Sequence, residues 1–362
     1  MKMKRLLAWL LALVMCFTMA ACQKKTTKKK STKTKNKEQT SQSTDSSDQT
    51  GSTDTTGDND GTQSTQNTKP GNTDAPQSYP KGPILYRVTD KKGNVTWLFG
   101  SIHLGREDYY PLPDYVQNAY NNADSLAVEA DMVAFSKNTS AQMNALRQLV
   151  YRDGTTIKDH IPQELYDQAV KILKDNKSYV AALDYYCPFY WSSMIEALMV
   201  DDMGGDANLG IDMHLLNRAY DTGKEILEVE SAEFQYNMLA GFDDEVQTML
   251  LASSVQSYLY PDQAKAQLEE MMDLWASGDE EAFEDYLAAE DSAMTAAEKA
   301  IYARYNQAMI TDRNIAMADY AESALASGKE VFICVGAAHV IGDGGMADLL
   351  TQRGYTVERV TK

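Results

Sequence analysis

Two short apolar runs near opposite ends of the sequence stop in the same way. Val95–Phe99 leads into Gly100-Ser101-Ile102-His103, and Val331–Val335 leads into Gly336-Ala337-Ala338-His339, 236 residues later. Runs of five residues rich in β-branched and aromatic side chains read as strands. One as apolar as Val-Phe-Ile-Cys-Val reads as a strand covered on both faces, as in a parallel sheet. Such strands cannot stand alone. The chain must bring the region near residue 100 and the region near residue 335 into one sheet, whatever lies between them.

The remaining patterns fill in that constraint. Residues 84–103 read as a β-hairpin turning at Lys91-Lys92-Gly93-Asn94. Leu112, Val116, Ala119 and Tyr120 have helical spacing, with Pro113 and Asp114 as start signals. Residues 125–132, Ser-Leu-Ala-Val-Glu-Ala-Asp-Met, read as a short strand carrying one carboxylate, Glu129. From about residue 140 to 328 the pattern is mainly helical. It includes a stripe at 161, 165, 169, 172 and 173, a strongly apolar helix begun by Pro188, and a helix over 209–223 closed by Gly223. Residues 224–230 interrupt this block as a strand. Pro261 and Gly278 punctuate its later part, and Gly328 ends it. The 18 methionines fall mostly in these helices, where filling of core gaps is their ordinary use. After Val331–Val335 come a helix and a final strand within 345–360. The expected fold class is α/β (α+β): a central sheet built from N- and C-terminal strands, with a large helical insertion.

The N-terminus has a different character. Lys2, Lys4 and Arg5 precede the apolar run Leu6–Phe17, and Met19-Ala20-Ala21 precede Cys22. A basic start, a short apolar core and small residues describe a signal peptide over 1–21. The apolar run falls short of the roughly 20 residues that span a bilayer. Met19-Ala20-Ala21-Cys22 resembles the lipobox of bacterial lipoproteins. That resemblance implies a lipid on Cys22 and a protein anchored at the extracytoplasmic face of the cell membrane. The rest of 22–80 is Ser, Thr, Lys, Asp, Asn, Gln and Gly with almost nothing apolar, and so reads as a disordered tether. Its basic part, Lys24 to Lys37, would lie next to anionic headgroups. The domain boundaries are therefore 1–21, 22–80 and 81–362.

Residues 1–80 carry 12 basic and 7 acidic residues, which leaves 22 and 45 in 81–362, a formal charge of −23. That balance excludes nucleic acid as a natural partner and favours a basic one. Of the four cysteines, Cys16 leaves with the signal and Cys22 is the anchor; Cys187 and Cys334 form no disulfide framework.

Sites in α/β sheets form beyond the carboxyl ends of parallel strands. His103 and His339 each follow a strand through a glycine, which lets the backbone turn sharply or approach a ligand closely. They are expected to meet across one cleft, with Glu129 joining them from a third strand. Two neutral imidazoles and a carboxylate are a competent set for a divalent transition metal with positions open to water. His160 precedes a helix entry, where a polar turn residue is ordinary. His214 lies two residues after Asp212, so the two do not share a helix face. Asp212 is expected to cap its helix, and one of the pair to face the cleft. There is no H-E-x-x-H, no G-x-S-x-G and no phosphate-binding glycine loop.

The segments WLFGSIHLG, LAVEADM, GIDMHLLNRA, TDRNIAMA and FICVGAAHVIGDGGMADLLTQRGYTV together resemble a TraB/GumN-type domain over nearly all of 84–362. The resemblance implies that His103, Glu129 and His339 are active-site and metal-site residues. Arg313 and Asn314 match a further motif, and the arginine is expected to stabilise an oxyanion or bind a peptide carboxylate. The family includes the Tiki proteins, membrane-tethered metalloproteases using cobalt or manganese, which favours those metals over zinc. Other members are described as pheromone-shutdown or polysaccharide-operon proteins, so a shared fold alone does not fix the activity. Two expectations follow. One is a surface-tethered, metal-dependent hydrolase, a peptidase acting on an extracellular peptide or protein. The other is a lipoprotein that sequesters a peptide signal without cleaving it.

Overall fold

The computed structural model describes residues 82–199, 206–288 and 294–361. The expected signal peptide, Cys22 and the tether lie outside the described residues. No helix among the described residues is long and apolar enough to cross a membrane.

Six strands of the described residues form one mixed sheet. In chain order they are β1 (Leu85–Thr89), β2 (Val95–Ser101), β3 (Ser125–Val128), β4 (Glu225–Glu228), β5 (Val331–Gly336) and β6 (Thr356–Val360). Their spatial order is β4-β3-β5-β2-β1-β6. β1 and β2 make the expected hairpin, whose turn uses Gly93 at φ 88°. β2, β5, β3 and β4 are mutually parallel, and β1 runs against β2 and β6. The two apolar runs are thus direct neighbours, in register Trp97↔Phe332 through Ser101↔Gly336. Thr96 Oγ1 donates to Val331 O at 2.9 Å, at the start of that pairing.

β5 is the middle of the parallel set and is buried from Val331 to Val335. Phe332 is fully buried and packs against Phe99, with ring centroids 5.4 Å apart, and against Tyr120 at 5.6 Å. Truncating such a ring costs about 3–5 kcal/mol. The helix Asp114–Asn122 supplies Val116, Ala119 and Tyr120 to one face, as its spacing predicts. The helix Pro261–Ser277 starts with Pro261 and ends at Gly278, φ 63°. It is pinned beneath the hairpin by Trp275 Nε1, which donates to Gly100 O at 2.8 Å.

Away from the sheet, the helical insertion has its own cores. Ala145, Phe189, Tyr236, Leu250 and Tyr305 belong to one, and Leu165, Leu173, Trp191 and Val255 to another. The helices Pro188–Ala197 and Asp244–Leu259 serve both. The result is an α/β fold with a helical insertion, as the sequence predicts.

Two local readings change. The strand expected over 125–132 ends at Val128, so Glu129 stands just past it. The helix Ile211–Thr222 has Gly210 at its cap, so Asp212 stands inside the first turn rather than at the expected cap, and its carboxylate lies 3.1 Å from His103. His339 follows β5 directly, in the helical turn Ala337–Val340.

Candidate active site

The carboxyl ends of β2, β3 and β5 open together, and this is where His103, Glu129 and His339 sit. All three line one cleft of about 520 Å³, counting space open to solvent. His103 and Glu129 also line an adjoining hollow of about 370 Å³, again counting space open to solvent, that reaches Asp212 and Gln235.

Glu129 is held from three directions. Its Oε1 accepts the Gly336 N–H at 2.7 Å. Its Oε2 accepts Arg313 Nη2 at 2.6 Å and Gln235 Nε2 at 3.1 Å. Burial opposes a charge there, yet Arg313 above all, with the Gly336 amide donating to it, keeps the carboxyl well below the usual carboxylate range. Glu129 is therefore an anion at any physiological pH.

Arg313 is itself 3% exposed and lies between two carboxylates. Its Nε donates to Glu230 Oε1 at 2.8 Å, its Nη2 to Glu230 Oε2 at 2.8 Å, and its Nη1 to Met309 O at 3.2 Å. The expected role toward a substrate oxygen thus gives way to another, since the guanidinium fork is spent on Glu129, Glu230 and the backbone. Arg313 positions Glu129 and sustains its charge. A π-helical turn, Gln307–Thr311, runs directly into the helix Asp312–Ser327 that carries Arg313 and Asn314. Such turns recur at functional sites.

Asn314 orients His339. Its Nδ2 donates to Gly344 O at 2.9 Å, so Oδ1 is the atom facing His339 Nδ1 at 2.7 Å. An acceptor there requires the imidazole proton on Nδ1 and leaves the lone pair on Nε2. Burial, with Arg313 adding to it, pushes the His339 pKa down to about 3, so the ring is neutral. On the other side, the Asp212 carboxylate approaches His103, with Oδ2 3.1 Å from Nδ1. Carboxylate–histidine pairs of this kind orient metal-binding imidazoles.

The donors fit a transition metal in kind: two oriented imidazoles and an anionic carboxylate. Their spacing fits less well. Among the described residues, no three His, Cys, Asp or Glu side chains are gathered closely enough to hold an ion.

Sequence reasoning did not single out Glu230 or Gln235, nor Asp212 as the partner of His103. A signal for Glu230 existed. It follows β4 in Leu-Glu-Val-Glu as Glu129 follows β3, and its N–H donates to Glu129 O at 2.9 Å. The other histidines are structural. His160 contacts Thr155 and Asp244 and stacks on Tyr151 at 4.1 Å, and His214 packs on Tyr110 at 4.1 Å. Cys334 is buried beneath the cleft; burial, with Asp212 adding, pushes its thiol pKa far up, which makes it inert.

This is an α/β protein with a buried ion-pair network beneath a two-histidine cleft. The chain belongs to the TraB/PrgY/gumN family, whose profile matches residues 84–359. It is 27% identical over 257 residues to the uncharacterized protein YbaP of Escherichia coli (strain K12), covering 70% of this chain and 86% of that one. The same figures hold for YbaP of Shigella flexneri. No solved structure matches this chain.

Proposed function

We propose that this chain is a surface-tethered hydrolase that cleaves a peptide bond in an extracellular peptide or protein. The observation that carries the reading is Glu129, kept anionic between His103 and His339 at the ends of three strands. Asp212 and Asn314 orient the imidazoles, while Arg313 and Gln235 fix the carboxylate. A divalent transition metal, manganese or cobalt rather than zinc, would need His103, His339 and Glu129 to draw closer together than they stand, and would then supply water activation and polarisation of the carbonyl. The lipid on Cys22 would keep the domain at the extracytoplasmic face of the membrane, where an acidic surface favours basic partners.

One observation favours a second reading. A carboxylate bound by an arginine, an amide side chain and a backbone N–H is a weak general base. The domain would then capture a peptide without cutting it. The two separate in a peptide-library assay with added manganese or cobalt, run on the wild type and His339→Ala. Metal-dependent cleavage lost in the variant supports the hydrolase. Equal binding by both proteins, with no cleavage in either, sinks it in favour of the binder.

A further inference from the structure

The two hollows share Ser101, His103 and Glu129 and diverge on either side of them. The first is walled by Val128, Ala130, Met132, Met213 and Leu216. The second is walled by Ile102, Met271, Phe283, Leu287 and Ala338. The walls come from unrelated parts of the chain. Met213 and Leu216 lie on the helix Ile211–Thr222, whereas Met271 lies on the helix Pro261–Ser277, and Phe283 and Leu287 lie on the helix Glu280–Ala288. Two apolar recesses therefore flank the polar centre.

Their charge is one-sided. Among the described lining residues, Glu129 and Asp212 are acidic, and Arg313 is the one basic side chain besides the histidines. Arg313 is spent on Glu129 and Glu230. A substrate carboxylate lodged in either recess, away from the shared centre, would therefore lose its hydration and meet no available cation on the recess walls. Methionine walls adapt to several apolar shapes, so the selection is for apolar character rather than one side chain.

We infer that the cleft takes an extended peptide with an apolar side chain on each side of the bond or residue facing Glu129, and rejects acidic side chains at both places. This inference names the substrate class for the proposed function and rests on that reading for the cleavage step only. Binding tests it alone.

The test uses the folded protein with fluorescent decapeptides varied at two central positions, read by anisotropy and by cleavage. Leu, Met or Phe at either position is expected to bind about tenfold or more tighter than Asp. Met213→Glu and Leu287→Glu each place a carboxylate in one recess. Each is expected to shift preference to Lys or Arg on its own side and leave the other side unchanged. Met213→Asn and Leu287→Asn, which should only weaken the apolar preference, serve if the charged variants melt early. Side-specific shifts in binding support the inference even if no peptide is cut, in which case only the hydrolase reading falls. Binding that ignores both positions, shifts on both sides together, or is undetectable for every peptide overturns the inference.

Discussion

Arg313 Nη2 lies 2.6 Å from Glu129 Oε2, and the same guanidinium closes on Glu230 through two further bonds of 2.8 Å. One buried cation is thus shared by two carboxylates from the ends of adjacent strands. The pair explains how an acidic side chain can stay charged inside the fold beside a histidine that stays neutral. Arg313 favours the anion at Glu129 and disfavours the cation at His339.

Removing that cation leaves Glu129 and Glu230 uncompensated. Arg313→Met is expected to destabilise the domain by about 3–5 kcal/mol in urea unfolding at pH 7. Adding Glu230→Gln to it should recover part of the loss. If Arg313→Met unfolds at the wild-type midpoint, the network contributes no stability.

Much of this fold was legible because its strands and turns are local features. The hairpin turn, the Pro261 and Gly278 boundaries, and the strand after Gly328 follow from sequence spacing and turn chemistry. The cleft was legible in part, because a glycine and a histidine after each apolar strand mark a strand end. What tied the site together was not local. Arg313 bonds to residues 184 and 83 positions away, and Asp212 reaches His103 from another helix. A sequence pattern shows which residues carry charge but not where their hydrogen bonds go, which is why Arg313 was expected to face a substrate.

Asn314 is expected to act through His339. In Asn314→Leu the imidazole loses its Nδ1 partner and Gly344 O loses its donor. On the proposed function, manganese affinity, measured by loss of the free-ion paramagnetic resonance signal, should fall about 10–100-fold, with any cleavage falling alongside. Unchanged affinity in a folded variant would separate Asn314 from the site.

Glu196 gives the helical block its own pH dependence. It is 1% exposed, and its Oε1 accepts Ser254 Oγ at 2.5 Å. Burial raises its pKa from 4.5 to about 8, with Ser254 opposing, so the folded protein holds a proton that the unfolded chain releases. The contribution is full below about pH 4.5 and is lost as pH rises toward about 8, a change of roughly 3 kcal/mol by pH 7. Glu196→Gln is expected to flatten this fall across the interval and raise the thermal midpoint at pH 8. Parallel wild-type and variant stability curves from pH 5 to about 8 would contradict a buried, protonated Glu196.

The two glycines that end the apolar strands should respond unequally to alanine. At Gly100 a Cβ would stand 2.9 Å from Ala337 Cα and 3.0 Å from Ala337 Cβ, against the turn that carries His339. That turn would have to move, so Gly100→Ala should cost about 1–3 kcal/mol and lower activity through His339. At Gly336 the backbone has φ −52° and ψ 137°, open to any residue. A Cβ there would meet Glu129 Oε1 at 3.4 Å and His339 Cδ2 at 3.6 Å, ordinary contact distances. Gly336→Ala should stay within about 1 kcal/mol of the wild type in urea unfolding. Its N–H bond to Glu129 depends only on the backbone and should persist. Similar losses in both variants would mean that Gly336, too, is needed for close approach, and that the cleft is tighter than these distances imply.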